Sequence, residues 1–170
     1  MDGRVGVAVL IECMRRLKST PHEVIFVFTT QAEVGARGAM TSAFSVDPDI
    51  GLAVDTTPAA DMPDSHKSDI ALGKGPTVRI KDDQMVADPQ VVDWVIRVAE
   101  KSQIPFQREV LTTGGTEASA IQLTRAGVLA GSLGIPCRYL HSPSEMVDFG
   151  DVQNAVRLLV ALLSSPVDVK

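Results

Sequence analysis

The chain opens on a stretch with helical period. From Arg4 to Lys18, in "RVGVAVLIECMRRLK", apolar residues cluster on one side while Glu12 and the basic residues mark the other. That pattern predicts an amphipathic helix, with Asp2 placed to cap it. The next run, Glu23 to Phe28 ("EVIFVF"), is almost wholly apolar and rich in β-branched and aromatic residues, as a buried strand would be. Gly35 and Gly38 then punctuate a loop, and Ala39 to Ser45 fits a short helix. "IGLAVD" (Ile50 to Asp55) reads as a second strand, followed by a polar, proline-bearing loop from Thr56 to Asp69. "TVRIKD" and "QMVAD" suggest a short meander around Asp82 and Asp83. Beyond it, helix is expected over Pro89–Ser102, strand over Phe106–Leu111, helix over Glu117–Arg125, strand over Val128–Ile135 and helix over Val147–Leu163. Strands alternating with helices predict an α/β fold whose mostly parallel sheet is flanked by helices.

Composition narrows this picture. With 170 residues, 45% of them hydrophobic, the chain can bury one domain's core, and with 4% aromatics that core is aliphatic. The formal net charge of −5, with no Lys/Arg run longer than two, gives no footprint for nucleic acid. No apolar stretch approaches the ~20 residues that span a bilayer and no signal peptide opens the chain, so no membrane partner is expected. Cys13 and Cys137 are far apart and form no CxxC, which predicts two reduced core thiols and a cytoplasmic protein.

Ligands of open α/β sheets sit beyond the carboxyl ends of the strands. Three such exits carry metal-binding residue types: Glu33 after "VIFVFTTQA", Asp55 closing "IGLAVD", and His141 after "GIPCRYL". Asp2 stands just ahead of the first helix, where a preceding strand would end. Carboxylates and imidazole are the donors that zinc and related divalent ions take. Each residue also has an ordinary reading: Asp2 as a helix cap, Glu33 as a solvated loop acid, Asp55 as an Asx turn, His141 as a surface or core histidine. There is no HExxH. "LGKGP" (Leu72 to Pro76) lacks the spacing of a phosphate-binding P-loop and reads as a turn. "TTGGTEAS" leaves open an anion-binding module built on Gly114 and Gly115. "HSPSE" offers Ser142 and Ser144 beside His141, but without a Gly-x-Ser-x-Gly elbow a serine hydrolase is not expected.

The blocks "DGRVGVAVLIECMRRLK", "VFTTQAEVGARGA", "IGLAVDTT", "LGKGPTVRIKD", "TTGGTEASAIQLTRAGV" and "IPCRYLHSPSEMVDFGDVQNAVRLL" run nearly end to end. They resemble, in the same order, the C-terminal part of the tetrahedral-aminopeptidase-type metallopeptidases, family forty-two of clan MH. That family includes deblocking, glutamyl and leucyl aminopeptidases, and some members carry an endoglucanase label. The resemblance implies a three-layer α/β/α sandwich with a mixed, mostly parallel sheet, here N-terminally truncated. It implies two divalent ions, zinc or cobalt, peptide substrates and homo-oligomers. Residues 1–170 would be the C-terminal portion of the catalytic domain, without the inserted oligomerisation domain or the strand bearing one further His ligand. Asp2 would bridge the two ions, Asp55 would hold one, and Glu33 and His141 the other. His66 is a further residue able to complete such a site. The family's Gln-Glu-Glu-Val-Gly reads Gln31-Ala32-Glu33-Val34-Gly35, so Ala32 stands at the position of the general-base Glu. The family's Asp-Asp-Arg reads Asp2-Gly3-Arg4, and its Gly-Thr-Asp reads Gly115-Thr116-Glu117. The expected function is an aminopeptidase, impaired in this chain at the base and by the missing His; the alternative is a non-catalytic relative that binds metal or partner subunits.

Overall fold

A computed structural model describes residues 1–63, 65 and 67–169. His66 therefore lies outside the described residues.

Among the described residues, five α-helices and five strands follow in the order α1 (Arg4–Arg16), α2 (Arg37–Val46), β1 (Ile50–Pro58), β2 (Thr77–Lys81), α3 (Pro89–Lys101), β3 (Gln107–Val110), α4 (Ala118–Gln122), β4 (Leu129–Arg138), β5 (Met146–Val147) and α5 (Phe149–Leu163). A 3₁₀ turn, Ala32–Val34, precedes α2. The sheet order is β1-β4-β2-β3, with β5 added to β4. β1 runs parallel to β4 and β2 parallel to β3, whereas β2 and β5 are antiparallel to β4, so the sheet is mixed and open. Neighbouring residues of β1 and β4 face opposite layers. A side chain at Gly51 would meet Ile121 of α4, whereas one at Gly131, the partner of Leu52, would meet Val91 of α3. Helices α3, α5 and α1 thus pack together on one side, and α4 with α2 on the other.

The local chemistry explains most boundaries. Asp88 caps α3 by accepting from the Gln90 N–H at 2.9 Å, and Pro89 supplies the first turn. Asp148 caps α5 in the same way through the Asp151 N–H at 3.1 Å. Val91, Val95, Ala99, Leu158 and Leu162 meet in the aliphatic core. Inside the sheet, Glu109 of β3 accepts from Arg79 Nε at 3.1 Å and from Thr77 Oγ1 at 2.8 Å. Arg79 also reaches Asp82 at 3.3 Å and the Thr57 hydroxyl at 3.0 Å, and Thr57 donates in turn to Glu109. All three charged groups are buried, and the network ties β2 and β3 to the C-terminal end of β1.

One expected element is absent. Glu23–Phe28 forms no strand and joins no ladder among the described residues, and Ile25 and Phe28 are 53% and 46% exposed. A strand forms by pairing backbone groups with a neighbour, and no described strand lies alongside this segment. Phe26 alone turns toward the core. Smaller shifts have similar causes. "QMVAD" contributes only one bridge, Lys81 to Val86, and the helix expected from Glu117 to Arg125 ends at Gln122 in a turn closed by Gly127 N–H to Thr124 O at 2.8 Å.

Candidate functional site

β1 ends in Asp55, Thr56 and Thr57, and α1 begins next to it. A Cβ on Gly6 would come within 2.6 Å of the Val54 carbonyl oxygen, so the first turn of α1 lies directly on the strand. This brings Asp2 to the strand exit. Its carboxylate does not cap α1: the capping position is Gly3, with no side-chain bond. Instead Thr56 Oγ1 donates to Asp2 Oδ1 at 2.5 Å, and His141 Nε2 lies 3.3 Å from Asp2 Oδ2. His141 follows β4 in a turn and has φ 65°, a left-handed backbone that a non-glycine residue holds only when its surroundings dictate it. The imidazole is 70% exposed and the Asp2 side chain 27%, so the pair opens to solvent on the His141 side.

Asp55 is partly buried. Its carboxyl is pushed up to about 6, chiefly by burial, with the charges of Asp2 and Glu117 adding to the effect; the Thr56 N–H, donating at 2.8 Å, and the Arg79 charge oppose it. Glu117 faces the same region. Its Oε2 accepts from the Thr29 hydroxyl at 2.8 Å, while its Oε1 is buried with no hydrogen-bond partner among the described residues. At the exits of β1 and β4, Asp2 thus pairs with His141, and Asp2 and Glu117 lie near enough to Asp55 for their charges to act on it, with one buried Glu117 oxygen left open. A divalent ion is the kind of group such donors take, and the orphaned Glu117 oxygen marks the excess of negative charge that a cation would offset.

Glu33 is the sequence-predicted ligand that the structure leaves apart. It lies exposed on the 3₁₀ turn and makes no hydrogen bond or ion pair with Asp2, Asp55 or His141. Among the described residues no three His, Cys, Asp or Glu side chains converge as they would on one bound ion. Ala32 is exposed beside it, after Gln31 at φ 61°.

Several contacts were not readable from residue types. Thr56 and Glu117 touch the site only through the fold. Glu145 sits four residues after His141 within "HSPSE", and the nearness of an acid to that histidine was its only signal. Its carboxyl is held down near 2, first by the chain's terminal ammonium and then by the Asp2 N–H. The glycine loop at Leu72–Pro76 binds an anion after all, but an internal one: Gly73 and Gly75 N–H donate to Asp151 at 2.8 and 2.6 Å. The Gly114–Gly115 loop is instead held by the Asp83 main-chain N–H, which donates to Gly114 O at 3.2 Å.

The chain is similar to known proteins over most of its length. The M42 glutamyl aminopeptidase family model matches residues 1–158. The chain is 36% identical to the lysyl aminopeptidase of Pyrococcus furiosus, covering 96% of this chain and 46% of that protein. The aminopeptidase APDkam598 of Desulfurococcus kamchatkensis superimposes with a TM-score of 0.94 at 41% identity, over 98% of this chain and 48% of that one. The TET1 peptidase of Pyrococcus horikoshii, which can assemble into a tetrahedron or a large octahedral shell, superimposes with a TM-score of 0.86 at 34% identity, over 97% and 48%. The chain thus spans about half the length of the relatives it matches. From residues 1 to 158, this chain belongs to the M42 glutamyl aminopeptidase family.

Proposed function

We propose that residues 1–170 form the C-terminal portion of the catalytic domain of a metal-dependent aminopeptidase, which removes N-terminal residues from peptides. The observation that carries this reading is the Asp2–His141 pair, 3.3 Å apart beside Asp55, in a chain of this family. The contact of Asp2 with His141 and the effect of its charge on Asp55 support a bridging role for it. Asp2, Asp55, His141 and, after movement of the 3₁₀ turn, Glu33 would hold a pair of zinc or cobalt ions. Such a pair polarises a scissile carbonyl and makes water a better nucleophile.

The chain's own residues do the rest. The Thr56 hydroxyl fixes one oxygen of Asp2 and leaves the other to face His141. Ala32 has no ionisable group, so nothing at that position accepts a proton from the attacking water. General-base catalysis is worth about 10²–10⁴-fold, and turnover by this chain should be correspondingly weak. The second reading, a relative that binds metal or partner subunits without turnover, is favoured by the same exposed Ala32. Homo-oligomers are part of the proposal, supported by the assemblies of the Pyrococcus horikoshii relative.

The test is Co(II) titration by calorimetry together with hydrolysis of aminoacyl nitroanilides. At most one ion per chain is expected, with modest affinity, and Asp2→Ala or His141→Ala should weaken binding at least about tenfold, in line with loss of a ligand. Unchanged binding in both variants overturns the reading. Joining the chain to the upstream half of a relative should raise metal binding without raising turnover much. Adding Ala32→Glu to that protein should then raise kcat about 10²-fold with little change in metal affinity. Full turnover with Ala32 in place would mean that another group is the base.

A further inference from the structure

Glu145 links the two residues that form the heart of the site. It lies just before β5, and its side chain is 11% exposed. Oε1 accepts the backbone N–H of His141 at 2.9 Å. Oε2 accepts the backbone N–H of Asp2 at 2.9 Å and also pairs with the Met1 ammonium. One carboxylate thus spans residues 139 positions apart in sequence (141 − 2), each through its main chain. The main-chain grip leaves both side chains free to act as donors. It also supplies a reason for the left-handed backbone of His141: at φ 65° its N–H is aimed at Glu145 and its ring at Asp2. Without Glu145, nothing else in the "HSPSE" turn accepts the His141 N–H, and a non-glycine residue would relax toward a negative φ, turning the ring away.

We propose that Glu145 is the positioning residue of this centre, clamping the Asp2 and His141 main chains so that carboxylate and imidazole present themselves together to one cation. This inference rests on the metal-aminopeptidase reading above and assigns Glu145 no contact with the ion or the substrate. A glutamine at the position is close in size but has one carbonyl oxygen, so it satisfies one of the two N–H groups and turns an NH₂ toward the other.

The experiment compares Co(II) binding to the wild-type chain, Glu145→Gln and Glu145→Asp by calorimetry and by visible absorption, which reports coordination geometry. Glu145→Gln is expected to bind about 10–100-fold more weakly, as loss of an outer partner does, with an altered absorption band. Glu145→Asp, which keeps both oxygens on a shorter arm, should fall between and stands in if the glutamine variant fails to fold. In a His141→Ala background, Glu145→Gln should cause a smaller loss than in the wild type, the part that acts through Asp2 alone. Without metal, the ¹⁵N amide signals of Asp2 and His141 should both move in Glu145→Gln. Equal Co(II) affinity in wild type and Glu145→Gln overturns the positioning role, even if the variant melts at a lower temperature. A wild-type chain that takes up no Co(II) overturns the metal reading itself and the role with it. Losses that add fully in the His141→Ala background show that Glu145 acts elsewhere, and also overturn it.

Discussion

A carboxylate at the head of a helix ordinarily spends its oxygens on the first-turn N–H groups, and Asp2 does not. Its oxygens go to Thr56 and to the side of His141, leaving α1 without a side-chain cap. A further residue-level cost lies in the sheet, where Arg79, Glu109 and Asp82 are buried together. Removing the cation alone strands two acids in the core. Arg79→Leu should therefore lower stability by about 3–5 kcal/mol, read from urea unfolding monitored by circular dichroism; a loss under ~1 kcal/mol would show that water reaches the pair. At this scale the sequence exposed Asp2, Asp55 and His141 because each is a donor at a strand exit, and strand exits follow from the hydrophobic pattern. Thr56, Glu117 and Glu145 stayed hidden, since a threonine, a helix-start acid and a loop acid acquire meaning only from what the fold sets against them. Glu33 was chosen by the same strand-exit rule. Its position depends on the segment before it, which in this chain has no strand to hold it in place.

Elements were legible where periodicity was strong. The helix expected over Pro89–Ser102 is found at Pro89–Lys101, because a proline start, an aspartate cap and an apolar stripe all agree. β1 runs past Asp55 to Pro58, since Thr56, Thr57 and Pro58 still face Ile135, Pro136 and Cys137 of β4. Proline 136 is tolerated inside β4 because β2 pairs there only as far as Gly134 and β5 begins at Cys137, so no neighbour asks for its missing N–H. Glu23–Phe28 misled because strand composition states what a segment suits, whereas a ladder needs a partner. The contact of α1 with β1 gives an element-scale prediction. Gly6→Ala would set a Cβ 2.6 Å from the Val54 carbonyl oxygen, a main-chain atom that cannot swing aside. About 1–3 kcal/mol of destabilisation is expected, seen as a lower Tm, together with weaker Co(II) binding as Asp2 is displaced. An unchanged Tm would mean that the helix can slide.

For the molecule as a whole, both thiols are sealed. Cys13 is fully buried, and burial pushes its thiol up to about 11; Cys137 is also buried and raised by the same cause. Ellman's reagent should therefore find no thiol in the native protein and two in denaturant, and rapid native labelling would contradict the packing of α1. Association is expected too, because β1 is an edge strand and Ile25, Val27 and Phe28 lie open to solvent. Light scattering should show the mass rising with concentration; a monomer at all concentrations would show these surfaces to be inert. The unladdered segment Glu23–Phe28 has one more consequence, in time rather than in space. The main chain of Val24–Phe28 carries no ladder hydrogen bond among the described residues, while the amides of β4 are shared with strands on either side. In deuterated water the first should exchange almost as fast as an unfolded peptide and the second only on global unfolding. Slowing of the Val24–Phe28 amides would then be a clock for any event, association or the docking of another strand, that completes this side of the sheet.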